Sequence, residues 1–334
     1  MTKVAINGLG RIGRAIFKIV LETPELDLIA VNDLIPADNL AYLLSYDSAS
    51  GPYRRTVKSE GDWLVVGEHR CRLLHEKDPA ALPWAELGVE LVFECTGVFR
   101  KASALRKHLE AGAKRVLLSA PDKNGELPTV VHGVNQADQD AMISLASCTT
   151  NCITPVVEIV DRHLGIRKAM MTTIHAYTAS QSLVDGPKNK WRRGRAAAVN
   201  FVPTSTGAAK ATTRVLPAMQ GIFDGVSVRA PVPVGSIADI VMLVKQPTEV
   251  ASINRIFRQE AESARYRGIL GVTDIPLVSS DIVQDPRASI VDLTMTQVVD
   301  GDLLKIMSWY DNEWGYASQM VREALRLSLK GEYL

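Results

Sequence analysis

Val4-Ala5-Ile6-Asn7, Gly8-Leu9-Gly10-Arg11-Ile12-Gly13-Arg14 and Ala15-Ile16-Phe17-Lys18-Ile19-Val20 follow one another as a strand, a glycine turn and a helix. A GxGxxG run in that setting is the turn of a dinucleotide-binding unit. Gly8 permits the turn, Gly10 lets a pyrophosphate approach the backbone, and Gly13 lets the helix lie close on the strand. Leu28-Ile29-Ala30-Val31-Asn32 is a second strand pattern and ends at Asp33, 20 positions after Gly13. A carboxylate there accepts hydrogen bonds from the adenosine ribose and repels a 2′-phosphate, so NAD is expected rather than NADP.

The first half continues the alternation. Val89–Cys95 reads as a strand ending at Thr96-Gly97, Lys101–Ala111 as a helix closed by Gly112, and Arg115–Leu118 as a strand ending at Ser119-Ala120-Pro121. Ligands of such sheets lie beyond the carboxyl ends of the strands, which makes Thr96, Gly97, Ser119 and Ala120 candidate cofactor contacts. Leu64–Val66 and Arg70–Leu74 flank Gly67-Glu68-His69 as an inserted hairpin, with His69 and His75 expected at the solvent.

After residue 148 the pattern changes. A helical stretch, Ile153–Leu164, is followed by strand signals at Ala169–His175, Val226–Arg229, Ala238–Val244, Ser289–Asp292 and Leu303–Tyr310, with helices at Val250–Ala264 and Tyr316–Leu329. This is no second nucleotide unit. The expected fold class is α/β: a Rossmann-type NAD-binding domain over residues 1–147, with a C-terminal helix 313–334 packing back on it, and an α+β catalytic and oligomerisation domain with a mixed or antiparallel sheet over residues 148–312.

A chain of 334 residues can bury two cores. With 38 basic and 37 acidic residues it has no global field for nucleic acid or an anionic membrane, so any anion must be held locally. The four cysteines show neither disulfide density nor zinc-like spacing, so no metal is expected and a reducing compartment fits. No run reaches the ~18 apolar residues of a membrane span, and the opening passes directly into a strand without an export signal; a cytoplasmic location is expected.

The chemistry concentrates at Ala146-Ser147-Cys148-Thr149-Thr150-Asn151-Cys152. Cys148 stands at a helix start, where unpaired amides and the helix dipole are expected to lower a thiol from roughly 8.5 and stabilise a nucleophilic thiolate. Cys152, a turn further in, is the weaker candidate. His175 ends a strand before Ala176-Tyr177-Thr178 and is the best-placed base; it can hold the thiolate and exchange a proton. Ser180–Asn200 is a long basic loop, Pro203–Lys210 brings hydroxyls and glycine amides to a helix start, and Arg229 is an arginine in an apolar strand, suited to clamp an anion.

Ser147–Cys152, His175–Thr178, Pro203–Lys210 and Tyr310-Asp311-Asn312-Glu313-Trp314-Gly315-Tyr316 closely resemble phosphorylating glyceraldehyde-3-phosphate dehydrogenases, collinearly from Val4 to about Leu327. The resemblance implies oxidation of glyceraldehyde 3-phosphate by NAD with inorganic phosphate, in a cytosolic homotetramer. It matches the nucleophile to Cys148 and the base to His175. Arg11, Ile12, Asp33, Thr96 and Ser119 match cofactor contacts, and Asn312 matches the residue orienting the nicotinamide. Ser147, Thr149, Thr206, Gly207 and Arg229 match phosphate contacts; the substrate's own phosphate falls to Thr178, Arg193 or Arg195, and Arg229.

Three departures stand out. Ser180 replaces a frequent Asp or Thr, the 45–53 segment lacks the usual lysine and histidine, and Leu145 replaces a common asparagine. Erythrose-4-phosphate dehydrogenase is the neighbouring reading, supported by Leu74-His75-Glu76 and Leu82-Pro83-Trp84, and opposed by the intact His175–Thr178 and Ser205–Lys210 motifs. A non-catalytic RNA-binding or redox-sensing role of the same fold is a third, which the charge balance opposes.

Overall fold

The computed structural model describes residues 1–329, in two compact units. The first comprises Met1–Val130, Gln136–Ala146 and the chain from Met320; the second comprises Val131–Asn135 and Ser147–Gln319. Residues 330–334, the end of the expected 313–334 helix, lie outside the described residues.

In the first unit the strands are β1 (Thr2–Asn7), β2 (Leu26–Asn32), β3 (Val57–Glu60), β4 (Trp63–Val66), β5 (His69–Leu74), β6 (Leu91–Glu94), β7 (Arg115–Leu118) and β8 (Met142–Ser144). They form one sheet in the order β3-β4-β5-β2-β1-β6-β7-β8. From β5 to β8 the neighbours are parallel, while β3-β4-β5 is an antiparallel extension. The helices α1 (Arg11–Val20), α2 (Ala37–Ser45), α3 (Trp84–Leu87) and α4 (Ala102–Glu110) connect them. The chain leaves β1 toward β2 on one side and returns to β6 on the other, the switch of direction at which doubly wound sheets bind nucleotides. The sheet is therefore of the Rossmann type expected.

His69 departs from expectation. It opens β5 half-buried, and its Nε2 lies 3.0 Å from the Leu28 carbonyl, because the insertion has three strands and lies alongside β2 instead of ending in a free tip. His75 is exposed, as expected.

The second unit contains α5 (Cys148–Leu164), β9 (Ile166–Ala176), β10 (Val202–Ser205), α6 (Ala208–Val215), β11 (Phe223–Ala230), β12 (Ser236–Val244), α7 (Val250–Glu262), β13 (Leu270–Thr273), β14 (Ser289–Asp292), β15 (Gln297–Val299), β16 (Leu303–Tyr310) and the start of α8 (Trp314–Leu329), whose residues from Met320 belong to the first unit. Its sheet runs β10-β11-β9-β12-β16-β14-β13, with parallel β11-β9 and β13-β14 pairs among antiparallel ones, so it is mixed. Alternation sets its two faces. Met171 of β9, Ile240 and Met242 of β12 and Leu304 and Ile306 of β16 pack on Ile153, Val156 and Val160 of α5, while Met170 and Val226 face outward. Among the described residues no helix is long and apolar enough to cross a membrane.

Candidate active site

α5 begins where the sequence placed its thiol. Ala146 adopts a left-handed backbone (φ 55°), and Ser147 then caps the helix, its Oγ accepting from the Thr150 amide at 3.2 Å. Cys148 is the first helical residue. On β9, Met171, Thr173 and His175 share the inward face, so the imidazole meets the start of α5: Cys148 Sγ and His175 Nε2 are 3.3 Å apart. Cys152 lies deep in the core, near Ser289 and Ser308, and burial pushes its thiol to about 12, which leaves it inert.

Arg229 completes the arrangement. β11 and β9 run parallel with Arg229 opposite His175, so the two side chains leave the same face. Arg229 Nη1 donates to the Ala176 carbonyl at 2.7 Å and lies 2.5 Å from His175 Nδ1, which is itself 2.6 Å from that carbonyl. Nδ1 thus has a partner in either tautomer: it donates to the carbonyl, leaving Nε2 to accept from the thiol, or accepts from the guanidinium, making Nε2 a donor. Tyr310, which the sequence motif contains but to which no role was given, stands edge-on to the imidazole at 5.9 Å, and its hydroxyl bonds Thr149 and Thr173 at 2.8 Å each. Its place at the end of an alternating strand, beside the Asp311-Asn312 motif, was the available signal.

The electrostatics correct one expectation. Burial pushes the Cys148 thiol up, against the pull of Arg229, and pushes His175 down to about 3, helped by the charges of Arg229 and Arg193. Removal from water opposes the helix terminus, and it pushes both groups toward their neutral forms. It is the 3.3 Å contact, not these shifts, that makes Nε2 the atom placed to receive the thiol proton.

The remaining candidates separate by what they touch. Thr149 turns its hydroxyl inward to Tyr310, and its main-chain amide faces the Cys148 sulfur. Thr178 Oγ1 bonds Ser180 Oγ at 2.8 Å. Arg193 is held by Thr204 Oγ1 at 2.9 Å and acts on the charge of His175, whereas Arg195 is paired with Asp185 on the exposed loop. Thr206 Oγ1 accepts from the Ala208 amide, and Gly207 opens α6 with space around it.

In the first unit, Gly13 is obligatory, because a Cβ there would lie 1.9 Å from the Gly8 carbonyl oxygen. A Cβ on Gly10 would meet nothing within 4 Å, and no side chain caps α1, which starts at Arg11 and runs through Ile12. Open space before an uncapped helix start fits a pyrophosphate. Asp33 Oδ2 accepts from the Leu9 amide at 2.6 Å, which fixes the carboxylate beside the glycine turn. The Arg11 guanidinium is committed to Asp47, within the divergent 45–53 segment. Thr96 is tied through its amide and hydroxyl to fully buried Glu94, Gly97 follows with positive φ, and Ser119 reaches Cys95. In the second unit, Asn312 Oδ1 accepts from the Gly235 amide at 3.2 Å and Ser236 Oγ at 3.0 Å. Among the described residues no group of three metal-ligating side chains comes together.

Residues 147–312 match the family described as glyceraldehyde 3-phosphate dehydrogenase, C-terminal domain, and residues 2–102 match its NAD binding domain. The chain is 47% identical to glyceraldehyde-3-phosphate dehydrogenase of Mycobacterium avium and 44% identical to that of Streptomyces coelicolor, covering 96% of each chain in both cases. It is 42% identical to the Zymomonas mobilis enzyme over 98% of each chain.

Proposed function

The chain belongs to the glyceraldehyde-3-phosphate dehydrogenase family, and we propose that Cys148 and His175 carry its reaction, the NAD-dependent phosphorylating oxidation of D-glyceraldehyde 3-phosphate to 1,3-bisphosphoglycerate. The observation that carries this assignment is the 3.3 Å Sγ–Nε2 contact with Arg229 behind the ring.

As the sulfur adds to the aldehyde carbon, His175 Nε2 takes the thiol proton and passes it to the carbonyl oxygen, which becomes the hydroxyl of a thiohemiacetal and leaves Nε2 free again. Bound NAD supplies the hydride acceptor that turns this adduct into a thioester, and His175 takes the hydroxyl proton. Inorganic phosphate then attacks the thioester carbon, the acyl phosphate forms, and the sulfur leaves to regain its proton. Oxyanion charge in the addition steps is met by the amide at the start of α5 and by the imidazole.

We assign NAD to the Gly8, Gly10, Ile12 and Gly13 turn, with Arg11 contributing its main chain, Asp33 at the ribose, Thr96, Gly97 and Ser119 at the strand ends, and Asn312 at the nicotinamide carboxamide. Attacking phosphate falls to Ser147, the Thr149 main chain, Thr206 and Gly207. Thr178, Arg193 and Arg229 take the substrate phosphate, Arg195 being occupied by Asp185.

We further place the protein in the cytoplasm as a homotetramer: its four cysteines are free thiols, and Met170, Val226, Phe201 and Trp191 expose apolar surface that suits subunit packing. Light scattering at micromolar concentration tests the oligomer. Initial rates with the three- and four-carbon aldehyde phosphates, with and without inorganic phosphate, test the reaction; strict preference for the four-carbon substrate overturns it.

A further inference from the structure

We propose that Ser236 is a positioning residue that ties the amide of Asn312 to the peptide holding His175; this rests on the assignment of Asn312 to the cofactor. Ser236 begins β12 and is 1% exposed. Its Oγ donates to Asn312 Oδ1 at 3.0 Å and accepts from the Ala176 amide at 3.1 Å. The other side of residue 176, its carbonyl, receives His175 Nδ1 at 2.6 Å and Arg229 Nη1 at 2.7 Å. One hydroxyl thus links the Asn312 side chain to the peptide next to His175, two places far apart in the sequence.

The direction of these bonds matters. The Gly235 amide can only donate, so the acceptor facing it at 3.2 Å is the carbonyl end of Asn312. Ser236 reinforces that orientation and leaves the NH2 end, which bonds no described residue, to donate to an acceptor such as a carboxamide oxygen. With its own proton given to Asn312, the serine must accept from Ala176. Turning the asparagine amide over would leave Gly235 without an acceptor and release the serine proton, loosening the peptide on which the imidazole rests. Ser236 acts through Asn312 and Ala176 and need not touch substrate or cofactor.

Equilibrium NAD binding is measured for the wild type, Ser236→Ala, Asn312→Ala and the double variant, with thermal melts to confirm folding. Ser236→Ala is expected to weaken NAD by about 3- to 10-fold, the worth of one buried hydrogen bond. The double variant should bind no more weakly than Asn312→Ala, because the serine works through that amide. Ser236→Thr, which keeps the hydroxyl, should recover affinity, and Ser236→Cys repeats the loss at similar volume should the alanine variant not fold. The pH profile of Cys148 alkylation should also move in Ser236→Ala. Unchanged NAD affinity in Ser236→Ala, losses that multiply in the double variant, or an unmoved alkylation profile overturns the coupling. Asn312→Ala without any effect on NAD overturns the cofactor assignment together with it.

Discussion

Arg229 and His175 are register partners on adjacent parallel strands, and Arg229 Nη1 lies 2.5 Å from His175 Nδ1. The guanidinium lowers both members of the Cys148–His175 pair: it disfavours a second positive charge on the ring and favours a negative one on sulfur. Arg229→Gln should therefore raise the pKa of both. Alkylation of Cys148 by iodoacetamide should need higher pH, and kcat/KM should fall by roughly 10- to 100-fold with the loss of a charge-assisted contact. An alkylation profile that stays in place shows that the arginine does not tune the pair.

The two cysteines of α5 call for opposite results. Cys148→Ser removes the group that forms the thioester and should cut oxidation by roughly 10³-fold or more, with NAD affinity retained. Cys152→Ser touches a thiol already pushed to about 12 and enclosed by Ser289 and the Ser308 carbonyl. It should leave turnover near that of the wild type and cost about 1 to 2 kcal/mol of stability for placing a hydroxyl in the core. Steady-state rates and urea melts of both variants separate chemistry from packing.

His175 also leaves a signature in stability. Its folded pKa, about 3, lies below the unfolded value near 6.5, so the unfolded chain binds more protons between these limits. Stability is then lost as pH falls from about 6.5 toward 3, by about 2 kcal/mol at pH 5. Asp311, pushed up to about 6 by burial, works in the other direction over its own window, losing stability as pH rises from about 4 to 6. His175→Asn removes only the first contribution. The stability gap between wild type and variant should therefore shift by about 2 kcal/mol between pH 7 and pH 5; a gap independent of pH contradicts a neutral buried imidazole.

What could be read beforehand follows the range of the interactions. β7, β14 and β16 have the bounds their apolar runs predicted, and Cys148 opens its helix because Ser147 is a local cap. Short pieces whose few apolar residues are offset by polar ones, by Pro203 or by Gly271 escaped: β3, β8, β10 and β13. The Arg229–His175 and Tyr310–Thr149 contacts escaped because they depend on which distant strands, or strand and helix, become neighbours. The thiol was misjudged for the same reason. A helix start is visible locally, but the desolvation that opposes it is created by tertiary packing.

At the cofactor end, Asp33 is held by the Leu9 and Ile35 amides, which points a fixed negative charge beside the glycine turn. Asp33→Gly removes the repulsion toward a 2′-phosphate, and the ratio of kcat/KM for NAD over NADP should fall by at least about 10-fold. An unchanged ratio places the discrimination elsewhere.

The basic loop offers a sharper test, because its two arginine candidates are in different circumstances. Arg195 gives its guanidinium to Asp185, and both side chains stand largely in solvent. Arg193 is steadied by Thr204 Oγ1 and the Ser205 carbonyl, and its charge is felt at His175 and at Arg229. A cation that reaches the imidazole electrostatically is placed to meet the phosphate of an aldehyde bound at Cys148. Arg193→Ala should raise KM for glyceraldehyde 3-phosphate by about 10-fold or more, the worth of a charge-assisted contact, while Arg195→Ala changes it by less than about 3-fold. Glyceraldehyde without its phosphate should be handled alike by the wild type and Arg193→Ala. Equal losses with both aldehydes would mean that Arg193 serves the Cys148–His175 pair and leaves the distal phosphate to Thr178 and Arg229.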